Sequence, residues 1–456
     1  MICHRIESRI ERRVGDMKTI YTRDLLRIGV DGGRYRICGW VDRVRDLGRI
    51  KFAILRDREG TIQIVGKAGE TSEDVLKTIA ELDREDVVCV SGVFRRNPQA
   101  PGGGEIVAEK IDLISKVVEP APIEVGGSFQ SDLSTRLRWR WLDVRNPRVL
   151  GIFILEAEVA NAFREYFRAN GFIEIFTPKI VGGATEGGAE VFPVVYFDRQ
   201  AFLAQSPQFY KQMGVIAGFE KVFEIGPVYR AEKHHTVRHL TEYHSIDYEV
   251  GFIEGLEDVL RVAEGAFKHV VESVLRNSKV REIIDSYGAS DILVPKEFPR
   301  ITMMEAYKIL EAMGKRIPYG EDLDSEAEKM LWTYARKEYS SDFVFVTEYP
   351  WKVRPFYAMR KPEEPEWTLS FDLLFRGLEV ATGGQREHRY HILVEQAKEK
   401  GLNPDNFWFY LEFFKYGAPP HGGAGIGLER VVMQILKLQN IREARLLPRD
   451  PERLFP

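Results

Sequence analysis

Between about Tyr35 and Val118 apolar and polar residues alternate in short runs, the period of half-buried strands. Arg36–Val41, Lys51–Asp57, Thr61–Val65, Val87–Val93 and Glu105–Ile111 predict five strands, with a helix over Glu73–Leu82 between the third and fourth. That order predicts a five-stranded OB-fold β-barrel over 17–118. Glu119-Pro120-Ala121-Pro122 then predicts a stiff linker opening a hinge over 119–148. From Val149 the pattern mixes helices and strands, an α+β composition. Leu155–Asn170 has helical periodicity and stops at Gly171. Phe172–Phe176 is a strand ending at Thr177-Pro178, and Leu256–Asn277 is a long helix. Trp367–Phe375 and Gly377–Thr382 predict two strands, and 388–400 and Asn406–Gly417 two helices. The stretch 280–345 mixes short helices and turns, carries no identifiable chemistry and reads as an insertion.

Two segments carry chemistry. Val222–Glu249 predicts a long antiparallel hairpin with Arg230 and Arg238 on either side of its turn. Arginines on a rigid hairpin, with aromatic rings near acids, suit a nucleotide: guanidinium grips phosphate and a ring stacks on the base. The run Gly422–Arg430 brings glycines that let backbone approach a ligand closely, followed by an arginine at the mouth of a helix.

A chain of 456 residues exceeds one ordinary core, so two or more domains are expected. The formal net charge of −4 argues against a general polyanion binder, so contact with nucleic acid needs local basic patches. Arg43, Arg45, Arg49, Lys51, Arg56 and Arg58 supply one around the second and third strands. On that face Phe52 can stack a base and Gln63 read a base edge; the other reading puts Phe52 in the barrel core. The hinge run Thr135–Arg145 is dense in Arg and Trp, and either touches phosphate or forms a solvated face. No apolar run is long enough to span a bilayer or reads as a secretory signal. Cys3, Cys38 and Cys89 make neither a disulfide framework nor a zinc pattern, so a reducing cytosol is expected. Residues 1–16 read as an upstream extension before a natural start at Met17, and scarce Asn and Gln lean toward a thermophilic source. His234, His235, His239 and His244 lack the spacing of a zinc template.

The strand ending at Pro178, the hairpin with Arg230 and the Gly425–Arg430 run resemble motifs 1, 2 and 3 of class II aminoacyl-tRNA synthetases. The N-terminal OB-fold resembles the aspartate, asparagine and lysine subgroup. Within it the chain is similar to archaeal-type aspartyl-tRNA synthetases, through Ala184–Gly188, Gln205–Gln212, Gly383–Arg389 and Leu447–Pro451. The resemblance implies a catalytic domain over 149–456, built on a mostly antiparallel sheet flanked by helices, behind an anticodon-binding barrel. It implies an aspartate–tRNA ligase that first makes aspartyl-adenylate from ATP and then charges tRNA(Asp).

By the same resemblance Arg230 holds the α-phosphate and the attacking carboxylate, and Arg230, Arg430 and Glu379 are catalytic. Glu232, Arg238, His239 and Leu240 contact ATP, as do Gly427, Leu428 and Glu429. Arg430 and Tyr243 sandwich the adenine. Glu379, with Thr382 where the family usually has Ser, binds Mg²⁺. Lys211 and Arg386 meet the side-chain carboxylate of aspartate, Glu186 and Asp247 its ammonium, and Gln208 orients it. Asparagine leaves both cations without an anionic partner. His421, in a Pro-Pro-His-Gly-Gly turn, either senses the ligand or is an ordinary loop histidine. Strict relatives tend to carry Trp at the Asp42 position and Lys near Pro101; the relaxed ones carry His and Pro. Asp42 fits neither pattern and Pro101 the relaxed one, which leans toward charging tRNA(Asn) as well. The resemblance also implies a cytoplasmic homodimer with Pro178 at its interface. The same-fold alternative is an asparaginyl-tRNA synthetase or a tRNA-independent asparagine-making relative. The alternative of another class is a non-catalytic RNA-binding paralogue.

Overall fold

The computed structural model describes residues 17–127, 130–183, 190–232 and 236–456. The extension over 1–16, Cys3, Glu186, His234 and His235 lie outside the described residues. Two compact units meet in sequence at Leu150 and Gly151.

In the first unit α1 (Thr22–Ile28) precedes β1 (Arg34–Asp46), β2 (Ile50–Asp57) and β3 (Gly60–Lys67). After α2 (Glu73–Glu81) come β4 (Val87–Arg96) and β5 (Gly104–Ser115). The strands close into a barrel in the order β1-β2-β3-β5-β4. Alternation sends Ile37, Val41, Ala53, Leu55, Ile62, Ile64, Val90 and Ile106 inward to the core. Phe52 is half-buried and stands outside that core, beside the outward residues of β2. Gln63, also outward, donates from Nε2 to Glu105 at 2.7 Å.

Arg56 does not join the expected basic patch. It is 2% exposed, pairs with Asp42 at 2.7 Å and gives Nη2 to both oxygens of Glu85 at 2.8 Å. Asp42, expected to face the anticodon, is thus the counter-ion of a buried arginine. Arg43, Arg45, Arg49 and Arg58 do remain exposed. In the hinge, Arg136 and Arg140 are buried against Asp143, at 2.8 and 2.5 Å, so the run is not simply a solvated face.

The cysteine expectation is also corrected: Cys38 and Cys89 form a disulfide. Register places them directly opposite in the antiparallel β1–β4 pair. A separation of 51 residues hides that proximity from the sequence. By chain entropy, a loop of this length stabilises by about 4 kcal/mol. Reductant is therefore expected to lower the barrel's urea midpoint in the native protein and leave Cys38→Ser unmoved, as read by circular dichroism.

The second unit is built on an eight-stranded sheet. Its framework is α3 (Pro147–Ala169), β6 (Ile173–Glu174), α4 (Gln208–Gly214), β7 (Lys221–Tyr229), β8 (Glu242–Gly251) and α5 (Leu256–Arg276). It continues with β9 (Arg300–Thr302), α6 (Ser325–Tyr339), β10 (Phe343–Thr347), β11 (Ser370–Phe375) and β12 (Leu378–Gln385). α7 (Tyr390–Glu399), β13 (His421–Gly427) and α8 (Leu428–Leu436) complete it. Strand order is β9-β10-β11-β12-β13-β8-β7-β6. Only β9–β10 and β6–β7 run parallel among the pairs of this sheet.

α3 and α5 bury apolar faces against the sheet, Leu155, Val159, Phe163 and Phe167 on one and Val259, Ala263, Phe267 and Val270 on the other. α3 begins at Pro147, a residue preorganised for a first helical turn, with Asn146 accepting from the Arg148 amide at 3.0 Å. The stretch 280–345, read from sequence as an insertion of short helices and turns, also contributes strands to the sheet. β9 and β10 extend the sheet beyond β11, and Phe343 and Phe345 enter the main core. The expected helix over Asn406–Gly417 is broken into turns, Pro404–Phe407, Trp408–Leu411 and Glu412–Tyr416, whose aromatics pack around Phe209. No helix among the described residues is long and apolar enough to cross a membrane.

Candidate active site

The β7–β8 hairpin, β12 and β13 together wall a cavity of about 410 Å³. Its lining includes Gln208, Arg230, Glu232, Arg238, His239, Leu240, Tyr243, Asp247, Glu379, Thr382, Arg386, Gly427, Glu429 and Arg430. Residues spread over more than two hundred positions therefore face one space, as the hairpin and glycine motifs require.

At one end the walls are charged and dry. Register puts Ser245, Asp247 and Glu249 on one face of β8. Lys211 projects from α4, 1% exposed, and donates to Asp247 Oδ1 at 2.8 Å and to the Ala424 carbonyl at 3.0 Å. Glu249, fully buried, stands 3.6 Å from Lys211 Nζ and accepts from Arg386 Nε at 3.0 Å. Burial works against the Arg386 charge, but Glu249 outweighs it and holds the guanidinium above its ordinary range. Arg386 Nη2 also donates to the Gly423 carbonyl at 2.9 Å. A Cβ at Gly423 would collide with the Tyr248 carbonyl and the Glu249 carboxylate, so only glycine lets the strands approach this closely. Lys211 lies just behind Asp247 and does not itself line the cavity. Buried Gln208 Nε2 has no hydrogen-bond partner among the described residues, which leaves a donor for an incoming ligand.

The other end gathers arginines around one carboxylate. Burial would raise Glu379, but Arg430, Arg354, Arg238 and Arg230 hold it below the usual carboxylate range. Arg430 Nη1 donates to the Glu379 carbonyl at 2.9 Å and lies 3.4 Å from its carboxylate. The Arg230 guanidinium sits 5.9 Å from the Tyr243 ring centre. His239 is pushed down to about 4, first by burial and then by Arg430 and Arg238, so it is neutral at pH 7. Thr382 Oγ1 accepts from Arg354 Nη1 at 3.0 Å. Arg354 also pairs with Asp372 at 2.8 Å. Burial raises Asp372 above the usual range in spite of Arg354.

Three expected residues stand differently. Leu428 is packed in the hydrophobic core on α8. The Glu429 carboxylate accepts from the His244 amide at 3.0 Å and pairs with Arg445 at 3.1 Å, bonds that brace the cavity wall which Glu429 also lines. His421 begins β13 and is fully buried rather than in a loop, with Nδ1 2.8 Å from the Pro419 carbonyl. Glu156, His244 and Glu429 present ligand atoms within 4.8 Å of one another, yet the Arg445 guanidinium already bonds two of them. Sequence reasoning missed Glu249, Arg354, Asp372 and Glu328. Alternation alone could have placed Glu249 beside Asp247, two residues along the same strand.

Residues 132–451 match the family of class II tRNA synthetases for D, K and N, and 35–114 match an OB-fold nucleic acid binding domain. The chain belongs to this synthetase family. It is 59% identical to an aspartate–tRNA(Asp/Asn) ligase of Aeropyrum pernix, over 93% of this chain and 96% of that one. It is 48% identical to an aspartate–tRNA(Asp) ligase of Pyrococcus abyssi, over 94% of this chain and 97% of that one. Among solved structures, the asparaginyl-tRNA synthetase of Pyrococcus horikoshii complexed with asparaginyl-adenylate is similar, with a TM-score of 0.88 and 34% identity. The match covers 96% of this chain and 99% of that one. The class II synthetase fold expected for the larger unit, mostly antiparallel and flanked by helices, is the fold observed.

Proposed function

We propose that this cavity joins L-aspartate to ATP and passes the aspartyl group to the 3′ end of a tRNA whose anticodon rests on the barrel. The chain is an aspartate–tRNA ligase, the activity named for its relatives at 59% and 48% identity. The observation that carries the substrate choice is the buried pair of cations, Lys211 and Arg386, that flank Glu249 at one end of the cavity. With Asp247 and Glu249 their formal charges already balance. An aspartate side-chain carboxylate adds an anion that Arg386 meets on the cavity wall and that Lys211 attracts from behind Asp247, while the substrate ammonium adds the matching positive charge for Asp247. Contrary to the expectation that asparagine would leave them without an anionic partner, both cations keep Asp247 and Glu249, so discrimination rests on the extra anion that aspartate alone brings. The likeness to an asparaginyl enzyme favours the alternative substrate; these two cations favour aspartate.

Arg230 would hold the α-phosphate against the attacking carboxylate, and no protein nucleophile is needed. Tyr243 and Arg430 would bracket the adenine, while Arg238 takes the outer phosphates. Glu379, kept ionised by its arginines, and the Thr382 hydroxyl form a hard oxygen donor set suited to Mg²⁺, which supplies charge neutralisation on the phosphates. The deciding test is exchange of pyrophosphate into ATP. Aspartate dependence is expected; dependence on asparagine instead, or no exchange, overturns the reading.

Pro101 leans toward charging tRNA(Asn) as well, and the Aeropyrum pernix relative is named for both tRNAs. Rejection of the tRNA(Asn) transcript in a charging assay would remove that part. Phe52→Ala is expected to raise KM for tRNA about tenfold through a lost base stack, with pyrophosphate exchange unchanged. A homodimer is supported by Ile173, Phe176 and Ile180, large apolar side chains left exposed around Pro178; light scattering reads it. The tRNA substrate leads us to infer a cytoplasmic location.

A further inference from the structure

No residue of 280–345 lines the cavity, yet one of its carboxylates grips the cavity's outer arginine. Glu328, on α6, is 6% exposed. Arg238 Nη2 donates to its Oε1 at 2.7 Å and to its Oε2 at 2.9 Å. Ser325, three residues earlier on the same helix, accepts from Arg238 Nη1 through its hydroxyl. Glu328 Oε2 also accepts the backbone amide of Glu379 at 3.3 Å. One buried side chain thus bridges the loop that carries Arg238 and the strand that carries Glu379.

We propose that Glu328 is a positioning residue for the nucleotide: it fixes Arg238 on the cavity wall, in register with Glu379, ready for the outer phosphates. The proposal rests on assigning ATP to this cavity. Two physical arguments carry it. First, an arginine on a loop loses several rotamers' worth of freedom when it engages phosphate, and a carboxylate that already holds it removes much of that cost. Second, Arg230, Arg238, Arg354 and Arg430 all act on Glu379, so their mutual repulsion favours Arg238 swinging outward. Glu328 supplies the counter-charge on the side away from the ligand. Glu328 does not reach the cavity, so it acts through Arg238 and not on the substrate.

The test is a double-mutant cycle on the full chain, read by aspartate-dependent pyrophosphate exchange. Glu328→Ala is expected to raise KM for ATP roughly tenfold or more and to move KM for aspartate less than about twofold. Arg238→Ala alone should raise KM for ATP at least as much, and Arg238→Ala/Glu328→Ala no further. Glu328→Gln, which keeps the shape and an acceptor oxygen, should fall between native and alanine. It also serves if the alanine variant does not fold. Equal shifts in both Michaelis constants, an unchanged KM for ATP, or an undiminished Glu328 effect in the Arg238→Ala background overturns the proposal. Absence of exchange in the native protein would fault the ATP assignment instead.

Discussion

Arg230→Ala is expected to lower kcat for aspartate-dependent pyrophosphate exchange by about a thousandfold, with the melting temperature little changed. The backbone of Arg230 is pinned by its amide, which donates to the Thr241 carbonyl at 2.9 Å just beyond the β7–β8 ladder. Its guanidinium faces the cavity near Tyr243. As the carboxylate attacks, negative charge grows on the α-phosphoryl oxygens, and a fixed cation there is worth more than in the ground state. The loss should therefore fall on kcat more than on KM for ATP. A rise in KM with kcat intact would mean that Arg230 only anchors ground-state nucleotide and that another group meets the transition state. Arg230→Lys should recover little, because a point charge cannot replace a planar fork that bonds two oxygens at once.

The second large effect is expected at Lys211. Lys211→Met leaves Asp247 and Glu249 facing a thioether in a dry site, with Arg386 the cation nearest Glu249. Breaking a buried pair of this kind costs about 3–5 kcal/mol of stability. kcat/KM for aspartate should also fall about a thousandfold, through the lost cation and the disturbed neighbours. The two effects separate by temperature: well below the variant's melting transition the catalytic loss persists, while a purely structural loss recovers. Recovery of aspartate use at low temperature would remove Lys211 from substrate recognition.

Much of this site was legible because its chemistry sits on regular elements. The β7–β8 hairpin announced itself by alternation, which places Arg230, Tyr243 and Asp247 on one device. The glycine run likewise located Arg430. What the sequence hid were partners that meet only in three dimensions. Glu328 lies 90 residues from Arg238 along the chain, in a stretch with no strong pattern, and it reaches the site only because β9 and β10 join the sheet. Cys38 and Cys89 meet through barrel closure, which strand content alone does not register. Asp42 and Arg56 look like surface residues by type, but the β1–β2 pairing buries the guanidinium between Asp42 and Glu85. The strands within 280–345 stayed hidden for a related reason: short strands at a sheet edge carry too few residues to show a period.

Beneath the Arg386 end of the cavity, β13 presents bare main chain at its glycines. At Gly423 there is no room for even a methyl group, and the Arg386 guanidinium rests on that residue's carbonyl. Redesign of the substrate range therefore has no foothold at Gly423, and altered preference should come from the walls, at Gln208 and Thr382.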